Sequence, residues 1–189
     1  GTAALLAQAM SGGDMRIEIL GSRKYSTFSG LADLFDCAST GRLDAFFLAP
    51  GQIDGQANIN MVGIGPYPKL QVRWPGSHGS PLLYMMIPNI ILFRTDHRRR
   101  CLVPKVDFVS APGVSPPNVH HPGGPSDLVT SMAHFSFHRE RARFRLESVH
   151  PECSAEAVAE NTGFEFDSSP SVATTPEPDP EMLAIIEDR

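Results

Sequence analysis

The sequence predicts an α/β fold built on an open, mainly parallel sheet with helices on both faces. Two short apolar runs, Asp44 to Leu48 and Ile90 to Phe93, lack the alternation of a half-buried strand. We therefore expect both at the centre of the sheet. Polar residues and glycines follow the first run, where parallel strands of such sheets end in a ligand crevice.

Before the first run, three further elements are predicted. The segment Thr2 to Met10 is rich in Ala and Leu and predicts a helix. Arg16 to Leu20 is a short strand-like run. Tyr25 to Ala38 has apolar residues at helical spacing and predicts an amphipathic helix that is closed by Gly41.

Polar side chains cluster directly after the first apolar run. Asp54 and Gly55 form a typical turn pair. Gln52, Asn58 and Asn60 surround this turn and supply amide groups at the predicted carboxyl edge of the sheet. These three amides are candidate substrate-binding residues.

A glycine-containing loop follows the next predicted strand. Lys69 to Trp74 alternates apolar and polar residues, which is typical of a half-buried strand. It runs into the sequence Pro-Gly-Ser-His-Gly-Ser at Pro75–Ser80, whose backbone N–H groups we expect to be free. The candidate substrate-binding residues of this loop are Gly76, Ser77, His78 and Gly79.

The second half of the chain predicts a β-hairpin and a C-terminal arm. Met132 to Phe137 and Ala142 to Val149 alternate around a charged turn, which indicates the hairpin. Ser154 is placed to cap a short helix. Ser168 to Pro178 is rich in proline and predicts an extended arm that crosses onto a partner, and a last helix begins at Pro180.

Clusters of arginine and histidine are the candidates for binding phosphate or a metal ion. Arg98 to Arg100 could bind phosphate, although such charge runs more often face solvent or a partner. His120 and His121 are adjacent, but no third ligand stands at a recognisable spacing. His134 and His138 fall on one face of a predicted strand. No metal site is predicted.

Composition limits the classes of function. The 189 residues are 41% hydrophobic and 20% charged, as expected for a single globular domain. The formal net charge of −5 argues against a general nucleic-acid binder. The three cysteines are far apart, without a C-x-x-C pair, which favours a reducing cytoplasm. The longest apolar stretch is too short for a membrane span, and no secretory signal opens the chain.

Four segments together resemble one enzyme family. They read PGQIDGQANIN, GIGPYPKLQVRWPGSHG, RRRCLVPKVDFVSAPG and HPECSAEAVAENTGFEF, beginning at Pro50, Gly63, Arg98 and His150. Their order and spacing resemble the β subunit of the family I coenzyme A transferases, in particular the β subunit of the glutaconate CoA-transferase type. The resemblance implies the NagB/RpiA-like α/β fold and a homologous α subunit, or a second copy, as partner. It also implies an acyl-CoA thioester as substrate and no bound cofactor.

The chain departs from the family pattern at the catalytic segment. The family's nucleophile is the glutamate of a Glu-Ser-Gly or Glu-Asn-Gly tripeptide, and neither tripeptide occurs here. Ser11 to Asp14 resembles a motif that in the family follows the catalytic segment, so a couple of dozen residues have no counterpart after Met10. Either the chain has lost them or its sequence joins two pieces of a longer one, and the second is favoured. Glu18 remains only a weak catalytic candidate. In the loop, His78 stands where the family has glycine.

Three functions follow from this resemblance. The first is transfer of coenzyme A between a carboxylate and an acyl-CoA, in which the loop Gly76–Gly79 stabilises the oxyanion. The second is hydrolytic cleavage of a carbon–carbon bond in a ring-bearing acyl-CoA, as in steroid degradation, which needs no glutamate on this chain. The third is a non-catalytic role as a component that stabilises a complex.

Overall fold

The computed structural model describes residues 1–187. By their internal contacts these fall into two compact units, one of Gly1–Asp33 with the residues from Pro176 onward and one of Leu34–Thr175. The helices are α1 (Thr2–Met10), α2 (Leu31–Ser39), α3 (Ser80–Met86), α4 (Ala155–Asn161) and α5 (Pro180–Glu187). The strands are β1 (Ala45–Leu48), β2 (Gln52–Ile53), β3 (Ile59–Asn60), β4 (Gly63–Ile64), β5 (Val72–Arg73), β6 (Asn89–Arg94), β7 (Pro125–Thr130), β8 (Ala133–His138), β9 (Arg143–Val149) and β10 (Asp167–Thr174).

The central sheet has six strands in the order β1-β6-β7-β8-β9-β10. The β1–β6, β6–β7 and β9–β10 pairs are parallel, whereas β7–β8 and β8–β9 are antiparallel. This mainly parallel α/β sheet confirms the predicted fold class. It also confirms the hairpin, whose turn is the short 3-10 segment Arg139–Arg141.

One prediction about the sheet is wrong. The run Asp44 to Leu48 lies at the edge of the sheet and not at its centre, because β1 pairs only with β6 among the described residues. Phe47 is 45% exposed, and its ring meets Phe93 edge-on at 6.4 Å. A four-residue apolar run cannot distinguish a central strand from an edge strand, since both lie in a sheet whose order is set by distant segments. The run Ile90 to Phe93 does lie between two strands, as predicted.

The core lies on one face of this sheet. Ile90, Leu92, Leu128, Phe135 and Phe144 are fully buried there. Fully burying side chains of this size stabilises the fold by about 1.5–3 kcal/mol each. Edge-to-face contacts between Phe135 and Phe144 join β8 to β9. This aromatic packing therefore holds the two strands of the hairpin together.

Two predicted helices are confirmed in the first unit. Helix α1 covers the predicted segment, and α5 begins at Pro180, where the Asp179 carboxylate accepts a hydrogen bond from the Met182 N–H at 2.8 Å. The strand predicted over Arg16 to Leu20 is wrong. That segment has no neighbouring strand among the described residues, and its Ile19 N–H donates instead to the Tyr25 carbonyl oxygen at 2.7 Å.

Three other boundaries differ from prediction. The helix predicted from Tyr25 begins only at Leu31, because the Asp33 carboxylate accepts the Ser29 N–H at 2.9 Å and fixes the start there. The strand predicted over Lys69 to Trp74 shrinks to β5, whose two residues are exposed. The first part of the predicted arm forms β10 and extends the sheet beside β9, so only the residues from Thr175 to Asp179 are irregular.

No helix within residues 1–187 is both long enough and apolar enough to cross a membrane.

Candidate active site

The ends of two parallel strands frame a groove. Strand β1 ends at Leu48 and β6 ends at Arg94, and a groove of about 520 Å³ opens beyond them. Ligands of open α/β sheets bind at this edge. The groove has an apolar wall and a charged end, lined by Ala49, Gly51, Met61, Ile64, Trp74, Pro75, Gly76, Arg94, Asp96, Arg100 and Cys101.

The predicted glycine loop continues from this groove. Gly76 lines the groove, and the chain then passes through Ser77 and His78 to Gly79, which caps α3. Within residues 1–187, none of the four N–H groups from Gly76 to Gly79 donates to a protein acceptor. Unpaired N–H groups beside a groove can stabilise a developing oxyanion. The sequence predicted free N–H groups in this loop, and substrate binding by Gly76–Gly79 stays a prediction.

The backbone of the loop explains the glycine pattern of the family. Gly76 has φ of 107° and His78 has φ of 45°. A left-handed φ is uncommon for any residue with a Cβ, although histidine is among the more tolerated ones. His78 is exposed. It therefore occupies a position where glycine would be less strained.

Gly79 is glycine for a different reason. A Cβ at this position would lie 2.0 Å from Cζ of Phe35 in α2. Its φ of −87° is ordinary for any residue. A larger side chain at Gly79 would therefore collide with the Phe35 ring.

The predicted amide groups have partners within the protein. Asn60 is fully buried and donates to Gln52 Oε1 at 2.8 Å and to the Gly63 carbonyl oxygen at 2.7 Å. Gln52 Nε2 donates to the Asp107 carboxylate at 3.0 Å. Asn58 Nδ2 donates to Asp54 at 3.1 Å. The contacts of Gln52 and Asn60 hold the turn between β2 and β3 beside the groove, whereas Asn58 and Asp54 line a separate cavity of about 550 Å³. Direct binding of substrate by the three amides stays a prediction.

The predicted turn at Asp54 is present. Its carboxylate accepts the N–H groups of Gln56 and Asn58 at 3.1 and 3.0 Å. Asp54 is only 4% exposed, so these bonds satisfy a buried charge. The turn is thus rigid and not free to rearrange around a ligand.

Glu18 lies in the first unit, and its carboxylate is hydrogen-bonded to other residues of that unit. Its carboxylate accepts the N–H of Thr27 at 2.7 Å, the hydroxyl of Thr27 at 2.6 Å and the guanidinium of Arg16 at 3.1 Å. Burial raises the pKa of Glu18, but these hydrogen bonds outweigh it and leave the pKa below its ordinary value. Such a carboxylate is a weaker nucleophile than a free one. Its catalytic role stays a prediction, and the geometry does not strengthen it.

The three consecutive arginines Arg98, Arg99 and Arg100 contact different groups. Arg98 and Arg100 both pair with Asp96, at 3.2 and 2.8 Å, and the Arg100 hydrogen bond chiefly lowers the pKa of Asp96. Arg99 donates to the Glu160 carbonyl oxygen at 2.8 Å. Of the three, Arg100 is the one that lines the groove.

The histidines pair with other groups. His134 bonds Asp127 at 2.8 Å, and His121 bonds the Ser115 hydroxyl at 2.8 Å. Among residues 1–187, no three His, Cys, Asp or Glu side chains come together in a group that could hold a metal ion.

Sequence reasoning missed Arg94 and Asp96 at the charged end of the groove. Arg94 is the last residue of β6, one position beyond the predicted run, and Asp96 follows it. A charged residue at the carboxyl end of a parallel strand was an available signal. The apolar wall of Met61, Ile64 and Trp74 could not have been found, because it joins segments with no common pattern.

The fold and groove define an α/β protein of the kind that binds ligands beyond the carboxyl ends of its strands. The sequence pattern described as Coenzyme A transferase matches residues 4–161, so the chain belongs to that family. It is 33% identical over 147 residues to the B subunit of glutaconate CoA-transferase from Acidaminococcus fermentans, covering 74% of this chain and 54% of that protein. The chain thus spans about half the length of this curated relative.

Solved structures show the same fold in proteins with different names. The IpdAB structure from Rhodococcus jostii RHA1 matches with a TM-score of 0.82 and 25% identity, covering 98% of this chain and 80% of that one. The decarboxylase AibA/AibB matches with a TM-score of 0.70 and 28% identity, covering 92% and 70%. Because transferases and a decarboxylase share the fold, family membership does not by itself select one reaction.

Proposed function

We propose that this chain is the β subunit of an enzyme that transfers coenzyme A between a carboxylate and an acyl-CoA thioester. The observation that carries the proposal is the loop Gly76–Gly79, whose four N–H groups lack protein acceptors among the described residues and whose first residue, Gly76, lines the groove at the strand ends. Addition of a nucleophile to a thioester places negative charge on the carbonyl oxygen, and such N–H groups stabilise that charge.

The residues present indicate which catalytic roles this chain can perform. The loop of this chain binds and polarises the thioester, and Gln52 and Asn60 hold the β2–β3 turn, whose neighbours Gly51 and Met61 line the same groove. The attacking carboxylate is not assigned to this chain, since the tripeptide that carries it in the family is absent. Two sources remain for it. One is the segment without a counterpart after Met10, if the sequence joins two pieces of a longer chain, and the other is a partner chain, in line with the lettered subunit name of the glutaconate relative and the two-part names IpdAB and AibA/AibB. A second copy of this chain is the alternative partner.

Coenzyme A would be a substrate here and not a resident cofactor. All three cysteines are free thiols, which fits a reducing compartment such as the cytoplasm.

A hydrolase is the second candidate. It is favoured by the missing glutamate tripeptide and by His78 in place of a loop glycine. A relative from Rhodococcus jostii named cholesterol ring-cleaving hydrolase IpdB subunit is 29% identical over 160 residues, covering 81% of this chain and 61% of that protein.

The test is to produce the chain with its co-encoded homologous subunit and to supply acyl-CoA with and without free carboxylates. Formation of a new acyl-CoA that requires the added carboxylate supports transfer. Release of free coenzyme A, or a ring-opened acyl-CoA, without any carboxylate acceptor supports hydrolysis. A stable complex without either reaction supports the non-catalytic role.

A further inference from the structure

Arg94 has a positive charge with no carboxylate to balance it. No Asp or Glu oxygen in residues 1–187 lies within salt-bridge distance of its guanidinium, in contrast to Arg98 and Arg100, which share Asp96. Its Nη1 donates to the Pro50 carbonyl oxygen at 3.0 Å, and its Nη2 contacts Cys101 Sγ at 3.3 Å. Both acceptors are neutral or weak.

One of the remaining N–H donors of Arg94, the Nε–H group, is unpaired within residues 1–187. Its Nε is buried from solvent and has no hydrogen-bond partner among the described residues. A buried unpaired donor on a charged group costs free energy that native proteins rarely leave uncompensated. The side chain as a whole is partly accessible and lines the groove, so a ligand can reach the guanidinium.

The residues around Arg94 strengthen its attraction for an anion. Among the residues that line the groove, Arg94 and Arg100 outnumber the single carboxylate of Asp96. Met61, Ile64 and Trp74 form the facing apolar wall. Apolar walls lower the local dielectric constant, so a charge pair formed there is stronger than one in water.

We infer that Arg94 is a specificity-determining residue that binds an anionic oxygen group of the ligand in this groove. The inference deepens the proposed function and rests on it for the identity of the ligand as a coenzyme A thioester. The oxygens can come from a carboxylate on the acyl group or from a phosphate of coenzyme A. Both accept two hydrogen bonds from a guanidinium.

Trp74 offers a direct readout, because it is the only tryptophan of the chain and lines the same groove. The chain is titrated with succinyl-CoA, butanoyl-CoA and coenzyme A while tryptophan fluorescence is followed. The variants are Arg94→Met, Arg94→Lys and, as a matched control outside the groove, Arg98→Met. Thermal unfolding of each variant shows that it is folded.

A charge-assisted hydrogen bond corresponds to about tenfold to a hundredfold in affinity. If the acyl carboxylate is the ligand group, Arg94→Met weakens succinyl-CoA binding by that factor and leaves butanoyl-CoA unchanged. If a phosphate is bound, all three ligands weaken alike. Arg94→Lys retains part of the affinity, and Arg98→Met changes none. If Arg94→Met does not fold, the affinities of Arg94→Lys for the three ligands are compared in the same way, with a smaller expected loss of affinity.

The inference is overturned if the wild-type chain gives no response to any ligand, if folded Arg94 variants bind all three ligands as the wild type does, or if Arg98→Met causes an equal loss. Transferase activity of the two-subunit complex is measured separately. An active complex with an unaffected Arg94 variant removes this inference alone, whereas an inactive wild-type complex removes the proposed function.

Discussion

Gly79 lies against the ring of Phe35, so closely that a Cβ at Gly79 would stand 2.0 Å from the ring. The contact joins the loop Gly76–Gly79 to helix α2. It makes the position of the loop depend on a packing contact as well as on its own backbone.

The first prediction follows from that contact. Gly79→Ala should lower the free energy of unfolding by about 1–3 kcal/mol, because the added methyl group forces Phe35 or the loop to move. Denaturant unfolding measures the loss. In a Phe35→Leu background the same change should cost clearly less. Equal losses in both backgrounds would show that the collision is not the cause.

Gly76 provides a contrast within the same loop. Nothing lies within 4 Å of its hypothetical Cβ, but its φ is 107°. Gly76→Ala should therefore destabilise through backbone strain, by about 1–3 kcal/mol, and Phe35→Leu should not relieve it.

The second prediction concerns His78. Its left-handed φ of 45° should make His78→Gly stabilising by about 0.5–1 kcal/mol, once the extra chain entropy of glycine is subtracted. The control His78→Ala keeps the strained backbone and should not stabilise. Because His78 is exposed, we expect turnover of the complex to persist in His78→Gly. A large fall in turnover with unchanged folding would assign the imidazole a catalytic part.

The third prediction concerns the buried amide network. Asn60→Ala removes two donated hydrogen bonds and leaves the N–H groups of Val62 and Gly63 without their acceptor. Thermal or denaturant unfolding should show a loss of about 2–4 kcal/mol. The exposed neighbour change Gln56→Ala should alter stability by less than about 0.5 kcal/mol. A loss below about 1 kcal/mol in Asn60→Ala would contradict the structural role.

The fourth prediction is a pH dependence. The hydrogen bond between His134 and Asp127 lowers the pKa of Asp127 from 3.8 and raises that of His134 from 6.5, although burial opposes both shifts. Asp127 therefore stabilises the fold above its unfolded pKa and loses this effect as pH falls through the lowered value. His134 stabilises below its unfolded pKa and loses the effect as pH rises through the raised value.

The pair should accordingly contribute most between about pH 4 and pH 6.5. Both side chains are about one third exposed, so its contribution should stay within about 1 kcal/mol. Unfolding of wild type and His134→Gln at about pH 5 and at about pH 8.5, which lie below and above the unfolded histidine pKa, tests this. The prediction is contradicted if His134→Gln loses more stability relative to wild type at the alkaline pH than at the acidic pH.

Much of the local structure could be predicted from the sequence. Alternating residues on both sides of Arg139–Arg141 indicated the hairpin, and Pro180 indicated the start of α5. The glycine at Gly76 and the substituted glycine at His78 both lie at positive φ. These features depend on neighbours in the chain, because periodicity, capping and turn geometry act over a few residues.

Only the tertiary structure decided where these elements lie and which way their side chains point. β1 is at the edge of the sheet, Asn60 turns inward to Gln52, and Gly79 meets Phe35. Arg94 reaches the groove because the Ala49, Met61 and Trp74 segments close around the end of β6. Such contacts join residues far apart in sequence, and side-chain direction at a strand end depends on all the segments that pack there.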